Sequence, residues 1–383
     1  MEATPRRVHL YLSVIILNII YLAVGTAFAW SSPMLMKLDL TPDESSTVAS
    51  VLPLGGMLGP FVSGLVVDRL GRKNTAALNM GFMTCSFLLL TFSRNVTILS
   101  VGRFMSGMSW GLTFSSLPMY IAEISEDSVR GVLNTINMIS IASGSLLMYA
   151  VGPFVSYELI HYILLGICAV FFMLFPLLPN SPYALVMNNQ VNSARKTLTW
   201  LREKRSTSCV EKELQDIQKV VTKNETDSAG SIKDLFTSRG NRRALTVCCT
   251  LISLQQLSGI TVVLFYVQQI FHATASTISS STCSIIIGLV KLAAGFVCPV
   301  AVKSFGYKTP MIVSTFVAYL DKGVDKHYNK QHEKVFPLNL ANARLNNVGD
   351  VIRENEISEI ATQYDSKSLH QLTHNQLQPG GLR

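Results

Sequence analysis

Charge is scarce in this chain. Only 15% of its 383 residues are Asp, Glu, Lys or Arg, where a soluble domain carries about a quarter. Hydrophobic residues make up 49% and the mean hydropathy is +0.34, a balance that excludes an ordinary water-soluble fold. Metal-ligand spacing is also missing: the seven cysteines fall mostly inside apolar stretches and form no CxxC pair. No nucleophile constellation or phosphate-binding loop stands out, so the sequence reads as neither an enzyme nor a cofactor-binding protein. The net charge of +8 would suit a nucleic-acid binder if the basic residues shared a solvated face with stacking aromatics. They lie instead between apolar runs, as in a membrane protein that keeps Lys and Arg on its cytoplasmic side, and no nucleic-acid partner is expected.

Long apolar runs are abundant. A hydrocarbon core of about 30 Å takes about 20 apolar residues per helix, and such runs occur near 9–30, 48–67, 75–93, 97–121, 132–154, 159–179, 243–271 and 276–302. The expected fold class is therefore all-α and polytopic, with the lipid bilayer as its surroundings. Arg6, Arg7, Arg69, Arg72, Lys73, Arg130, the basic insert, Lys303 and Lys308 fall on alternate connections, which predicts a cytoplasmic N-terminus. The opposite connections, around 39–46, 93–97, 157–161 and 272–283, are poor in positive charge. The sequon Asn95-Val96-Thr97 lies on that side but abuts a helix, too close to lipid for modification.

The expected organisation is a six-helix half over 1–179, a cytoplasmic linker over 180–242, a partial second half over 243–320 and a polar tail over 321–383. Within the linker, 194–202 and 210–217 place apolar residues at three- to four-residue spacing, predicting short amphipathic helices under the bundle. Met311 starts a ninth run, which Asp321, Lys322, Asp325 and Lys326 stop well short of bilayer thickness. The tail reads as disordered, with at most one amphipathic helix around 345–360.

Three stretches carry chemistry. Gly55-Gly56 through Gly64 precede Asp68-Arg69-Leu70-Gly71-Arg72-Lys73. Small residues let helices approach closely in lipid, and an acid with three bases around a Gly turn can form ion pairs that exist in one arrangement of a bundle and break in another. Gly102-Arg103, Gly107, Gly111, Pro118 and Glu123 follow, ending in Arg130-Gly131. Charges at membrane depth are costly and usually partnered, so Glu123 and Arg130 are expected to pair with Arg72 or Arg69. In the seventh run, Gln255-Gln256-Leu257-Ser258-Gly259-Ile260 precedes Phe265-Tyr266. Adjacent amides within a lipid-embedded helix either line a wet cavity or bind a neighbouring helix, and as donors and acceptors they suit a polyhydroxylated ligand.

Together these stretches, with Pro179-Asn180-Ser181-Pro182, resemble the sugar porters of the major facilitator superfamily over about residues 8–310. Ala29-Trp30-Ser31-Ser32-Pro33 looks most like the insect trehalose-transporter branch. The resemblance implies two six-helix halves with the sugar at the midplane between them. It implies facilitative transport of trehalose or a hexose by alternating access, in a multi-pass plasma-membrane protein. It also implies sugar contacts from Gln255, Gln256 and Thr261, an outer gate of Phe265 and Tyr266, and an inner-gate network of Asp68, Arg69, Gly71, Arg72, Lys73, Glu123 and Arg130. Arg103, Gly107 and Pro118 are assigned structural roles.

The chain departs from the pattern at Thr261 and Met138, where the family carries Asn and Gln, and at Asn180 and Tyr183. Its second inner-gate motif, Lys303 to Lys308, lacks the Asp and one Arg. Spans ten to twelve and most of nine have no counterpart, so the fold is expected to have an incomplete C-terminal half. A shortened splice form, a misjoined gene model or a partial protein would account for that. Two alternatives stand beside facilitative transport. One is a non-transporting form that senses sugar or associates with full-length transporters, and the other is proton-coupled symport, against which the first run carries no acidic residue. Lys291 in the eighth run is a buried-looking cation with either a packing or a transport role.

Overall fold

The computed structural model describes residues 7–203, 207–226, 239–257, 259–273 and 279–306, with 309, 312 and 313. The expectations for the ninth run, the tail and its amphipathic helix, and for Lys308, lie outside the described residues. Among the described residues the chain is helical throughout, with no strand. Six stretches are long and apolar enough to cross a bilayer: Val8–Leu35, Pro42–Phe92, Ser128–Val151, Tyr157–Leu177, Gly240–His272 and Ser280–Ala301.

Helix α1 (Val8–Ala29) ends at Trp30, and a short α2 (Ser31–Leu35) continues beyond it. Helix α3 (Pro42–Phe92) starts in a full capping box, the Thr41 side chain accepting from the Glu44 N–H while Glu44 reaches back to the Thr41 backbone. At 51 residues a straight helix would be about 75 Å long, more than twice a hydrocarbon core. It is broken once, at Gly71, where φ 79° and ψ 162° are accessible essentially only to glycine. The chain doubles back there, because Gly55 from before the break and Leu90 from after it both lie against residues 102–104 of α4 (Val96–Ile124). The two expected spans near 48–67 and 75–93 are thus the arms of one helical course, and Asp68 to Lys73 continue the helix on either side of its turn.

Helix α4 is not apolar enough to count among the six stretches, since Arg103, Glu123 and its serines dilute it, and it is buried by protein. It approaches the first arm of α3 closely: a Cβ on Gly107 would lie 2.0 Å from the Leu52 carbonyl oxygen. Helix α5 (Asp127–Val151) packs against α1, and α6 (Tyr157–Leu174) packs against α1 and α3. Tyr157 and His161, expected on a connection, form the buried first turn of α6.

Next come α7 (Pro182–Met187), α8 (Val191–Arg202) and α9 (Thr207–Thr226). Their apolar stripes meet in a separate small core that includes Leu185, Leu198, Leu214 and Ile217, which is the general route by which short amphipathic helices gain stability. The seventh apolar run divides into α10 (Arg239–Leu257) and α11 (Ile260–Ala273) around Gly259, where φ is 75°. Helix α12 (Ser280–Phe305) follows.

Candidate functional site

At the end of the bundle that carries α7–α9, Arg72 and Glu123 meet. Arg72 opens the second arm of α3 just past the Gly71 turn, and Glu123 lies in the last turn of α4. The Arg72 Nε lies 3.1 Å from each carboxylate oxygen of Glu123. Asp68, one turn earlier and largely exposed, adds a looser contact to Arg72 at 3.5 Å. The Ser181 hydroxyl caps α7 and also donates to Glu123, while the Tyr120 hydroxyl donates to the Pro179 carbonyl. Two residues of the Pro179 to Pro182 segment are therefore fastened to α4. Lys73 sits over the Phe175 ring, 5.1 Å from its centre, and Arg69 is exposed. Arg130 lines a 560 Å³ cavity with Glu123, Glu126 and Glu213.

Sequence reasoning missed a second set of charges at this end. Arg7 pairs with Glu126 at 2.7 Å. Arg202, 1% exposed, pairs with Glu213 at 2.6 Å and lies 3.9 Å from Glu126, and it donates to the Ile124 carbonyl at 2.9 Å. A buried cation at the end of α8 thus stitches the small helical core to the end of α4. The available signal was that an amphipathic α8 places Arg202 one turn after Leu198, on the face it buries.

At the opposite end, α4 carries Arg103 into the interior. Its guanidinium donates to the Ala27 carbonyl at 2.7 Å and to the Ser31 hydroxyl at 2.9 Å. It also lies over the Trp30 ring at 5.0 Å. Ala27 is in the last turn of α1, where carbonyls lose their helical partners, so Arg103 satisfies the backbone where α1 gives way to α2. The Trp30 indole N–H donates to His161 Nε2 at 2.8 Å. That leaves the His161 proton on Nδ1, which lies 2.6 Å from the Tyr157 carbonyl.

Beside this end, α11 docks on α1 and α2. Phe265 is buried, with its ring 5.8 Å from that of Phe28. The Gln268 backbone N–H donates to the Ser32 hydroxyl and its side-chain amide to Ser281, each at 3.0 Å. The Tyr149 hydroxyl donates to the Leu264 carbonyl at 2.8 Å. Tyr266, half-buried, departs from helical geometry at φ −119°. Lys291 of α12 donates to Ser145 of α5 at 3.1 Å.

Gln255 and Gln256 lie apart from these contacts, exposed on the last turn of α10. Thr261 donates to the Gln256 side-chain oxygen at 2.9 Å. The structure thus joins Arg72 to Glu123 and Gln256 to Thr261, but it places the Gln pair and Phe265 in different settings, one open and one packed. The Gln268-Gln269 pair was visible in the sequence as a second double amide in the same run. Gly107 and Pro118 lie within α4, the first at its crossing with α3.

Comparison with known proteins gives consistent findings. The model of the sugar (and other) transporter family matches residues 23–320. The chain is 31% identical over 307 residues to a facilitated trehalose transporter Tret1 of Drosophila virilis, covering 78% of this chain and 34% of that one. To a Tret1-2 homologue of Drosophila sechellia it is 32% identical over 310 residues, covering 78% and 62% respectively. The chain therefore spans between about a third and just under two thirds of the length of these relatives. Among solved structures, the Escherichia coli xylose transporter XylE in a partially occluded inward-open conformation superposes with a TM-score of 0.61. That match has 21% identity and covers 78% of this chain and 74% of XylE. The proton:xylose symporter XylE bound to 6-bromo-6-deoxy-D-glucose gives a TM-score of 0.62 at 20% identity, covering 78% and 70%. At that identity the likeness speaks for the fold, that of the major facilitator superfamily.

Proposed function

The chain belongs to the sugar (and other) transporter family, and from that premise we propose that it takes part in facilitative movement of a sugar, trehalose or a hexose, across a membrane by alternating access. The observation that carries this reading is the seam between α11 and the α1–α2 junction. Phe265 against Phe28 and the Gln268 N–H on Ser32 join α11 to the α1–α2 junction. A solute entering there requires the seam to open, and the exposed Gln255 and Gln256, with the half-buried Thr261, then lie deeper along the same run. Their amides and hydroxyl offer donors and acceptors of the kind sugar hydroxyls need.

On this reading the end bearing α7–α9 faces the cytoplasm, where Asp68, Arg69, Gly71, Arg72, Lys73, Glu123 and Arg130 form the inner-gate group. The trehalose transporters among the relatives support trehalose as the first substrate to test. Uniport is favoured over proton symport by the partners of Arg103: the groups that hold it, the Ala27 carbonyl and the Ser31 hydroxyl, are neutral, so neither contact titrates with the medium.

Calorimetric titration of trehalose and of glucose into the purified chain tests the site. Saturable heat with one of them, lost in Gln255→Ala and in Gln256→Ala at unchanged melting temperature, is the expected result. Binding that survives both substitutions would remove the Gln pair from the site.

A further inference from the structure

Helix α12 turns one stripe toward α5. A Cβ on Gly288 would lie 3.2 Å from the Tyr149 ring and 3.0 Å from the Leu146 side chain, and one on Gly295 would lie 3.5 Å from that of Ile139. Lys291 stands between these glycines, three residues after one and four before the other, and so on the same side of the helix. Its ammonium donates to the Ser145 hydroxyl at 3.1 Å. Ser145 belongs to the crossing of α1 and α5, where it donates to the Gly25 carbonyl at 3.1 Å. Ile287, one turn before Lys291, packs against the main hydrophobic core. The cation is therefore directed into the bundle and not toward lipid.

No carboxylate of the described helices answers it. Lys291 comes eleven residues after the start of α12 at Ser280 and fourteen before its end at Phe305, about 16 and 21 Å along the axis. From the middle of a core about 30 Å thick, a four-carbon stem cannot carry its ammonium to either interface. Helices α1, α10, α11 and α12 contain no Asp or Glu, and the one acid of α5 is Asp127, its first residue. The acids of α3, α4 and α6 stand at helix ends or beside the Gly71 turn. Ser145 takes one of the three donors of the ammonium. Cations at such depth are kept with a partner, and Lys291 is not sealed off, since it retains some exposed surface. Its remaining donors are open to an anion that comes from outside the chain.

Tyr149 sets the level of this cation relative to α11, because its hydroxyl donates to the Leu264 carbonyl while its ring flanks Gly288. Lys291 lies three residues inward of Gly288 and Thr261 three residues inward of Leu264, each about 4.5 Å along its helix. We infer that Lys291 is a specificity residue of the solute path, and that the sugar it selects bears a single carboxylate, as a hexuronate does. The inference rests on the reading of the chain as a sugar carrier and narrows it. Charge count favours a carboxylate over a phosphate. One carboxylate neutralises one ammonium and offers two acceptor oxygens, whereas a phosphate monoester near −2 leaves unbalanced charge at the midplane.

The test is equilibrium binding of radiolabelled D-glucose, D-glucuronate and D-glucose 6-phosphate to the full chain in lipid nanodiscs. Glucose and glucuronate differ only in a hydroxymethyl group replaced by a carboxylate. Glucuronate is expected to bind about tenfold more tightly than glucose, and more tightly than the phosphate ester. Lys291→Gln should remove that preference while glucose binding stays within about twofold, which also shows that the variant is folded, and Lys291→Arg should retain it. Glucose binding as tightly as glucuronate to the unmodified chain would overturn the inference and leave a carrier of neutral sugars. A preference for glucuronate that persists in Lys291→Gln would overturn it too, and tighter binding of the phosphate ester would overturn the choice of a carboxylate. Saturable binding of none of the three would remove the sugar-carrier reading along with it.

Discussion

Arg72 and Glu123 face each other across α3 and α4, with the Nε of one 3.1 Å from both carboxylate oxygens of the other and both side chains mostly removed from solvent, 8% and 12% exposed. Ser181 donates to the same carboxylate, so one acid joins the turn at Gly71, the end of α4 and the start of α7. Glu123→Ala leaves a buried guanidinium with only the looser contact to the exposed Asp68 and should cost about 3 kcal/mol. Thermal unfolding in detergent checks this. A double-mutant cycle with Arg72→Ala should return a clear coupling energy, and additive effects would show that the pair contributes no more than two surface charges.

Gly71 gives a sharper backbone test. A Cβ placed there meets nothing within 4 Å, yet its φ of 79° with ψ of 162° belongs to a region that side-chain-bearing residues avoid. Gly71→Ala should therefore destabilise by about 1–3 kcal/mol through backbone strain alone. Gly81, also with open space around it but inside the helix, is the control. Gly81→Ala should be neutral or slightly stabilising, because alanine is the better helix former. Equal melting temperatures for the two variants would contradict the account of the turn.

The crossing of α1 and α5 should be intolerant of any side chain at Gly144, where a Cβ would lie 2.0 Å from a backbone oxygen of Leu22. Gly144→Val is expected to abolish monodisperse folded protein, read by size-exclusion chromatography of a fluorescent fusion. Gly64→Ala, at a position with nothing within 4 Å, should elute as the parent does.

Outside the membrane, Arg195 of α8 grips Glu211 of α9 through two hydrogen bonds of 2.9 and 3.1 Å. The guanidinium holds the Glu211 carboxyl below its ordinary range. A carboxyl whose folded pKa is depressed stabilises at pH values above its unfolded pKa, and that contribution disappears as pH falls through the folded value. Glu211→Gln should therefore lower the melting temperature slightly at pH 7, and the difference should shrink as the pH drops below about 4. The effect is small because both groups are exposed to solvent. A difference that does not change with pH would mean that the pair contributes packing and not charge.

The fold class was legible because apolar run length and positive-charge alternation are one-dimensional signals. Gly55, Gly107 and Gly111 announced close helix approach through composition alone, and the Asp68 to Lys73 cluster pointed to Glu123 by its charge. The partners of Trp30 and Arg7 could not be read in this way. Trp30 bonds to His161 across 131 positions and Arg7 to Glu126 across 119, and such pairings depend on the rotation of each helix about its axis, which periodicity leaves free in a helix that is apolar all round. The seventh run shows the same limit. Its two Gln pairs look alike in the sequence, but the break at Gly259 leaves Gln255 exposed on α10 while Gln268 is buried against Ser32 and Ser281.

Uptake of radiolabelled trehalose and glucose into oocytes, comparing the full chain with Gln255→Ala at matched surface expression, tests the central claim most directly. Saturable uptake of one sugar by the chain, reduced to the level of uninjected cells by the substitution, is the predicted result. Absence of uptake by correctly folded chain at the cell surface would contradict it, and would leave a protein that carries the sugar-transporter fold without moving sugar by itself.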